Sequence, residues 1–225
     1  MPKTTPGLPL FPLHTVLYPG GILPLRIFET RYLDMVKRCT SNNTGFGVCM
    51  LLDNPNEKGA DDEYQSARMA AIGTEAEIID FDTGADGILT LIVRGRERFQ
   101  VTGTHIQHDG LIISDIDWLP GNPGHMVLPQ HSLLVEMLQH LHSQVEQQLS
   151  KQGDESGRNY HPALNCDYDD AENIGYRLAE ILPLDLHEQQ VLLEITESHA
   201  RLDRLLDNLS DKDNQSAYSK KKTFD

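Results

Sequence analysis

The sequence predicts an α+β protein: a small antiparallel β-barrel-like subdomain of about six strands and one or two helices, followed by an α-helical subdomain. Before the proline- and glycine-rich stretch at 120–124, short apolar runs alternate with turn residues, as in small barrels. After that stretch, apolar residues recur at helical spacing. We therefore expect a β-rich subdomain at 1–120, a helical subdomain at 121–209 and a flexible tail at 210–225.

The first element is a proline-punctuated apolar stretch, LPLFPLHTVLYPGGILPLRIFETRY, at 8–32. Proline fixes φ and removes a backbone donor, so this stretch is predicted to be neither a central helix nor a continuous inner strand. It predicts short extended pieces at 8–13 and 22–27, joined by a turn at 18–21 whose glycines allow positive φ. A helix is expected to begin near Glu29 or Thr30.

The remaining strands are predicted from short apolar runs bounded by turn residues. These runs cover 46–52, 72–81, 88–93, 99–101 and 111–118. The runs at 72–81 and 88–93 flank a turn-rich segment and predict a hairpin with a longer loop. The polar segment 56–66 predicts a loop.

Three helices are predicted in the second half of the chain. Leu134, Leu138 and Leu141 share one helical face, and a second helix must end before Pro183. Asp185 and Glu188 have the spacing of a capping box, which predicts a third, longer helix running to about 209.

Charge and cysteine content exclude several classes of function. The net charge of −15 argues against nonspecific binding to nucleic acid or to an anionic membrane. No apolar run approaches the roughly 18 residues of a membrane span, and the N-terminus lacks the apolar core of a secretory signal. Three cysteines without C-x-x-C spacing are typical of reduced thiols, so we expect a cytoplasmic protein.

No catalytic or cofactor motif is predicted. The chain contains no GxxxxGK[ST] phosphate loop, and Ser219 and Lys220 lie together in a polar tail without a pocket to hold a dyad. The ten histidines lack tight ligand spacing with carboxylates or thiolates. We therefore expect no enzyme activity, no metal and no cofactor.

Several segments resemble the N-terminal, substrate-binding domain of Lon-type ATP-dependent proteases. The opening stretch is similar to the start of that domain, and 93–99 (VRGRERF), Gly73-Thr74 and 178–206 are similar to later parts of it. The resemblance covers roughly 8–209 and does not include the family's ATPase or peptidase modules. It implies a stand-alone, noncatalytic domain that binds unfolded or exposed polypeptide segments. A protease or chaperone would be the further partner, with this protein as an adaptor.

Candidate contact residues for a polypeptide come from two places. The first is the apolar opening stretch, and the second is an arginine series whose i, i+2, i+4 spacing places it on one face of a strand. The candidates are Tyr18, Ile22, Phe28, Tyr32, Arg94, Arg96 and Arg98. The opposing interpretation places the apolar residues in the core and the arginines in ion pairs, and a bulge at Gly95 would break the shared face.

Two other functions remain open from sequence. Barrels of this type suggest a small-ligand or RNA-binding module, for which 94–98 would be the phosphate-binding stripe. An unrecognised hydrolase is the third possibility.

Overall fold

A computed structural model describes residues 4–52, 68–84, 87–121, 124–152 and 166–221. The predicted loop at 56–66 lies outside these residues. The chain forms two compact units, Met1–Gly121 with Asp185–Glu194, and Asn122–Leu184 with Ile195–Asp225. The segment Asp185–Glu194 thus groups with the strand-rich unit and not with the other helices.

Among the described elements, the first unit contains six strands and two helices. Its elements are β1 (Thr4–Leu13), β2 (Ile22–Ile27), α1 (Thr30–Asn42), β3 (Phe46–Met50), β4 (Ile72–Thr83), β5 (Leu89–Ile106), β6 (Ile112–Trp118) and α4 (Leu186–Glu194). The second unit contains α2 (Ser132–Gln152), α3 (Ala171–Ile181) and α5 (Ser198–Lys221), preceded by a short 3-10 turn at Pro129–His131.

The strands form a mixed sheet with the order β2-β5-β4-β3-β1-β6, and β5 also pairs with β6. Five of the strands are therefore linked in a ring, and β2 is attached to the outside of β5. The predicted α+β class and its six strands are confirmed. The parallel pairing of β1 with β3 is a detail that the predicted antiparallel barrel did not contain.

The prolines of the opening stretch lie where β1 has a strand on one side only. Pro9 pairs with Ile113 of β6, and Pro12 pairs with Cys49 of β3. Leu10 pairs with both neighbours. The stretch is not a continuous inner strand, as predicted, because it is divided into β1 and β2. A missing N–H costs little at these prolines, where β1 has a partner strand on one side only.

The long strand β5 joins two runs that were predicted as separate strands. A register shift opposite Thr74 and Ala76 of β4 places two exposed residues, Arg96 and Glu97, in a bulge. The bulge lets one strand pair with β2 and β4 through its first half and with β6 through its second half.

The core of the first unit is built from the inward face of the sheet and from α1. Tyr32, Met35, Val36 and Cys39 of α1 pack with buried strand residues such as Phe46. A second cluster forms around Phe99, Leu10 and Ile116. The first of these clusters holds α1 close to β3 and β4.

The third predicted helix is two helices, α4 and α5, with a break at 195–197. Asp185 caps α4 as predicted, since its Oδ1 accepts the Glu188 N–H at 2.8 Å. In the second unit, an Arg201 guanidinium N–H donates to the Ile195 carbonyl oxygen, so a side chain occupies that acceptor in place of a helical N–H. Helix α5 then continues to Lys221, beyond the start of the predicted tail. Among the described helices, none is both long and apolar enough to cross a membrane.

Candidate functional site

The last part of β4 extends beyond its neighbour β3. β4 pairs with β5 from Ile72 to Thr83, whereas its pairing with β3 ends at Ala76. Among the described residues, no strand pairs with the other edge of β4 from Glu77 to Thr83. This part of the sheet therefore presents an open strand edge.

The C-terminal end of α1 lies beside this edge. Asn43 adopts a left-handed conformation with φ of 52°, and the Thr44 N–H donates to the Cys39 carbonyl oxygen at 2.9 Å, which ends the helix. Gly45 then passes against β4, where a β-carbon would lie 2.7 Å from the Ala76 carbonyl oxygen. The absence of a side chain at Gly45 allows this close approach.

The two elements enclose a groove of about 480 Å³. Ile78 and Phe81 provide apolar surface in the groove, and the Phe81 side chain is 60% exposed. Acidic side chains, among them Glu75 and Asp80, line the same groove. An exposed aromatic ring surrounded by carboxylates suits a ligand that is both apolar and cationic.

One basic residue, Arg96, also lines the groove. Its Nη1 lies 3.5 Å from Glu77 Oε2, and both side chains are about half exposed. An exposed ion pair of this kind contributes at most about 1 kcal/mol, so a ligand can exchange with it at little cost.

Two backbone amides of the open edge bind neighbouring carboxylates. The Phe81 N–H donates to Asp80 Oδ1 and the Thr83 N–H to Asp82 Oδ1, each at 2.8 Å. The Gly84 N–H instead donates to the Ile88 carbonyl oxygen across the hairpin. Because adjacent residues of a strand direct their N–H groups to opposite sides, this pattern places the amides of Phe81 and Thr83 on the outer edge.

The thiol of Cys39 lies in the wall of the groove and donates to the Gly45 carbonyl oxygen at 3.4 Å. Burial raises the pKa of this thiol, and the Thr44 hydrogen bond and the Arg38 charge offset only part of the effect. The group is a neutral thiol at physiological pH, which is a poor nucleophile.

The four apolar candidates from the opening stretch have different environments. Tyr18 is 1% exposed and its hydroxyl donates to the Gln189 carbonyl oxygen at 2.8 Å, and Tyr32 is a member of the core. Ile22 is half-buried at the start of β2. Phe28 is 74% exposed between β2 and α1 and does not line the groove.

The structure does not assemble the three arginines on one exposed face. Arg94 is half-buried, Arg96 is exposed, and Arg98 is only 2% exposed. Arg98 donates to the Leu193 carbonyl oxygen at 2.7 Å and to the Pro120 carbonyl oxygen at 3.3 Å. The bulge between Arg94 and Arg98 places the three side chains in different environments. They therefore do not form the phosphate-binding stripe that an RNA-binding function requires.

Sequence reasoning did not select Phe81 or its acidic neighbours as contact residues. The pattern Asp80-Phe81-Asp82 is also typical of an ordinary amphipathic strand end. The exposure of Phe81 depends on the residue at which β3 stops pairing with β4, and the local sequence does not specify that residue. Within the described ranges, no three histidine, cysteine, aspartate or glutamate side chains are close enough to hold a metal ion.

Comparisons with known proteins identify the fold and the family. Over 89% of this chain, the fold matches the crystal structure of a Lon N-terminal domain protein from Xanthomonas campestris, with a TM-score of 0.68, 36% identity and 96% of that chain covered. The N-terminal domain of Lon protease from the Mycobacterium avium complex has a TM-score of 0.59 at 17% identity, over 93% of this chain and 99% of that one, which shows similarity of fold alone.

Curated relatives are longer proteins. Lon protease 2 of Herpetosiphon aurantiacus is 28% identical over 90% of this chain and 23% of its own length. Protein cereblon of Danio rerio is 30% identical over 61% of this chain and 30% of its own length. The chain thus spans less than a third of either relative. Residues 7–211 match the family described as the ATP-dependent protease La (LON) substrate-binding domain, and the chain belongs to that family.

Proposed function

We propose that this protein is a noncatalytic module that binds unfolded or exposed polypeptide segments in the groove between α1 and β4. Membership of a substrate-binding domain family supports a polypeptide as the ligand. This site is proposed because the open edge of β4 lies beside the exposed ring of Phe81. An unfolded chain offers both free backbone groups and apolar side chains, and this site is complementary to both.

The groove has the size of a binding site. Its volume of about 480 Å³ lies within the range of roughly 300–1,000 Å³ typical of ligand sites. Ile78 and Phe81 supply apolar contact, and the acidic residues around them orient charged groups.

The proposal is tested by titrating this protein into a fluorescently labelled, permanently unfolded polypeptide, such as reduced and carbamidomethylated lysozyme, and following anisotropy. We expect saturable binding, and much weaker binding to the same polypeptide with its disulfides intact. Equal affinity for both forms, or no saturable binding to the unfolded form, would contradict the proposal.

A matched pair of phenylalanine variants locates the binding surface. Phe81 and Phe28 are both exposed, at 60% and 74%, but only Phe81 lines the groove. We expect Phe81→Ser to weaken binding by about tenfold, as expected for loss of an aromatic contact, and Phe28→Ser to leave it unchanged. The opposite result would place the binding surface at the opening stretch.

We also propose that the bound polypeptide is passed to a protease or chaperone, which makes this protein an adaptor in protein quality control. The relatives named as Lon proteases support this role. Adding this protein to a degradation reaction that contains a Lon protease and an unfolded substrate should change the rate of proteolysis, and Phe81→Ser should abolish the change. If the rate of proteolysis is unchanged, the adaptor role is wrong and the binding function alone stands.

A further inference from the structure

We infer that the polypeptide binds as an additional β-strand on the outer edge of β4, and that this edge selects segments with basic side chains. The inference rests on the proposed function and specifies its binding mode and the chemistry of its ligand.

The outer edge offers backbone groups at regular spacing. Phe81 and Thr83 are both paired in register with β5, opposite Leu91 and Leu89, and their N–H groups lie on the other side of β4. In an antiparallel pair, the carbonyl of a residue lies on the same side as its N–H. An incoming strand would therefore find two donors and two acceptors on this edge, which is the arrangement that strand addition requires.

The carboxylates of Asp80 and Asp82 protect these amides in the free protein. Charged residues on an open edge are a common protection against unwanted pairing. An incoming strand must supply carbonyl oxygens to the amides and must also neutralise the charge of the displaced carboxylates. Lysine or arginine side chains on the incoming strand meet the second requirement. The aspartates that protect the edge therefore also favour basic ligands.

The two faces of the edge explain which side chains the ligand needs. Phe81 is opposite Leu91, which is fully buried, so Phe81 shares the core-side face of the sheet. Asp80 and Asp82 lie on the opposite face. A segment that alternates basic and apolar residues would place apolar side chains beside Phe81 and basic ones beside the aspartates.

The open edge of β2 is less suited to this role. Among the described strands, β2 pairs with β5 alone, but Pro24 lies in the middle of β2 and has no N–H to donate. The edge of β4 from Glu77 to Thr83 contains no proline.

The test uses four eight-residue peptides with wild-type protein: alternating lysine and valine, alternating glutamate and valine, and two N-methylated forms of the first sequence. One form is methylated at the lysine amides and the other at the valine amides. We expect the lysine peptide to bind at least about tenfold more tightly than the glutamate peptide. One methylated form should lose about tenfold in affinity and the other should bind nearly unchanged, because only one side of an added strand is paired. Equal affinity of the two methylated forms would overturn strand addition.

Two substitutions at Thr83 test whether its outer N–H takes part in binding. Thr83→Pro removes an outer N–H, and Thr83→Val keeps it while removing the hydroxyl. We expect the proline variant alone to lose binding. Asp82→Asn should reduce the preference for lysine over glutamate by about threefold.

The outcomes separate the inference from the proposed function. If Thr83→Pro binds the unfolded polypeptide as wild type does, strand addition at β4 is wrong and the binding function stands. If wild type binds neither the peptides nor the unfolded polypeptide, both fail. An unchanged preference in Asp82→Asn contradicts the charge selection alone.

Discussion

Gly95 packs against the backbone of Tyr18, so closely that a β-carbon at position 95 would lie 2.1 Å from the Tyr18 carbonyl oxygen. The Gly20 N–H donates to the Gly95 carbonyl oxygen at 2.8 Å, and the Gly95 N–H donates to the Gly21 carbonyl oxygen at 2.9 Å. The turn in the opening stretch is thus fixed to the middle of β5, next to the bulge. The turn of the opening stretch and the arginine-rich part of β5 therefore form one structural unit.

Gly95→Ala is expected to destabilise the protein by about 3 kcal/mol or more, since a backbone atom cannot move away from the new methyl group without disrupting the turn. Gly103→Ala is the matched control in the same strand, because its nearest neighbour to a β-carbon is Asp115 Oδ2 at 3.9 Å. The control should lie within about 1 kcal/mol of wild type. Urea denaturation measures both, and equal effects would contradict the packing described.

Arg98 and Arg96 should differ sharply in their effect on stability. Arg98→Met removes a buried cation that donates to the Leu193 and Pro120 carbonyl oxygens, and we expect a loss of about 2–3 kcal/mol. Arg96→Met removes an exposed partner of Glu77 and should change the free energy of unfolding by less than about 1 kcal/mol. Thermal or urea unfolding of the two variants measures this difference. A loss of unfolding free energy in Arg98→Met as small as that in Arg96→Met would show that Arg98 is not a structural residue.

The aromatic residues of the opening stretch divide into core and surface. Tyr32→Ala should cost about 3–5 kcal/mol, because Tyr32 is buried with Phe11 at a ring separation of 4.2 Å. Phe28→Ala should cost less than about 0.5 kcal/mol. Circular dichroism during urea titration provides the measurement, and a large loss for Phe28→Ala would place that ring in a packed environment.

Stability should fall at alkaline pH because of Cys49. Burial raises the pKa of this thiol from its usual value of 9.0 to about 12. The folded state therefore holds its proton more tightly than the unfolded state, so its contribution is fully present below about pH 9 and is lost between about pH 9 and 12. The expected slope is about 1.4 kcal/mol per pH unit for this group.

The measurement compares wild type with Cys49→Ala by urea denaturation at several pH values from about 8 to 10.5. The variant lacks the thiol and should show a shallower decline above about pH 9. Parallel pH profiles would mean that Cys49 ionises alike in both states.

Much of the fold was predictable because it depends on local chemistry. Prolines and glycines determined the pieces at 8–13 and 22–27, and β2 has the predicted bounds. Asp185 capped its helix because the capping interaction lies within four residues. Features that depend on distant neighbours were not predictable: the parallel pairing of β1 with β3, and the break between α4 and α5 where Arg201 binds the Ile195 carbonyl oxygen.

The candidate site was mostly beyond sequence reasoning for the same reason. Arg96 is one of the predicted contact residues and lines the groove, but a shared face for the three arginines requires a strand without a bulge at Gly95. The bulge buries Arg98 and ends that arrangement. Phe81 matters only because β3 stops pairing with β4 at Ala76, which is a property of two strands rather than of either sequence.

The proposed binding of an extended polypeptide at the outer edge of β4 can be followed by amide hydrogen exchange resolved by NMR, with and without a saturating lysine–valine peptide. We expect the amides of Phe81 and Thr83 to exchange more slowly in the complex, with little change at the buried strand β3. Saturable binding without added protection of these two amides would contradict it.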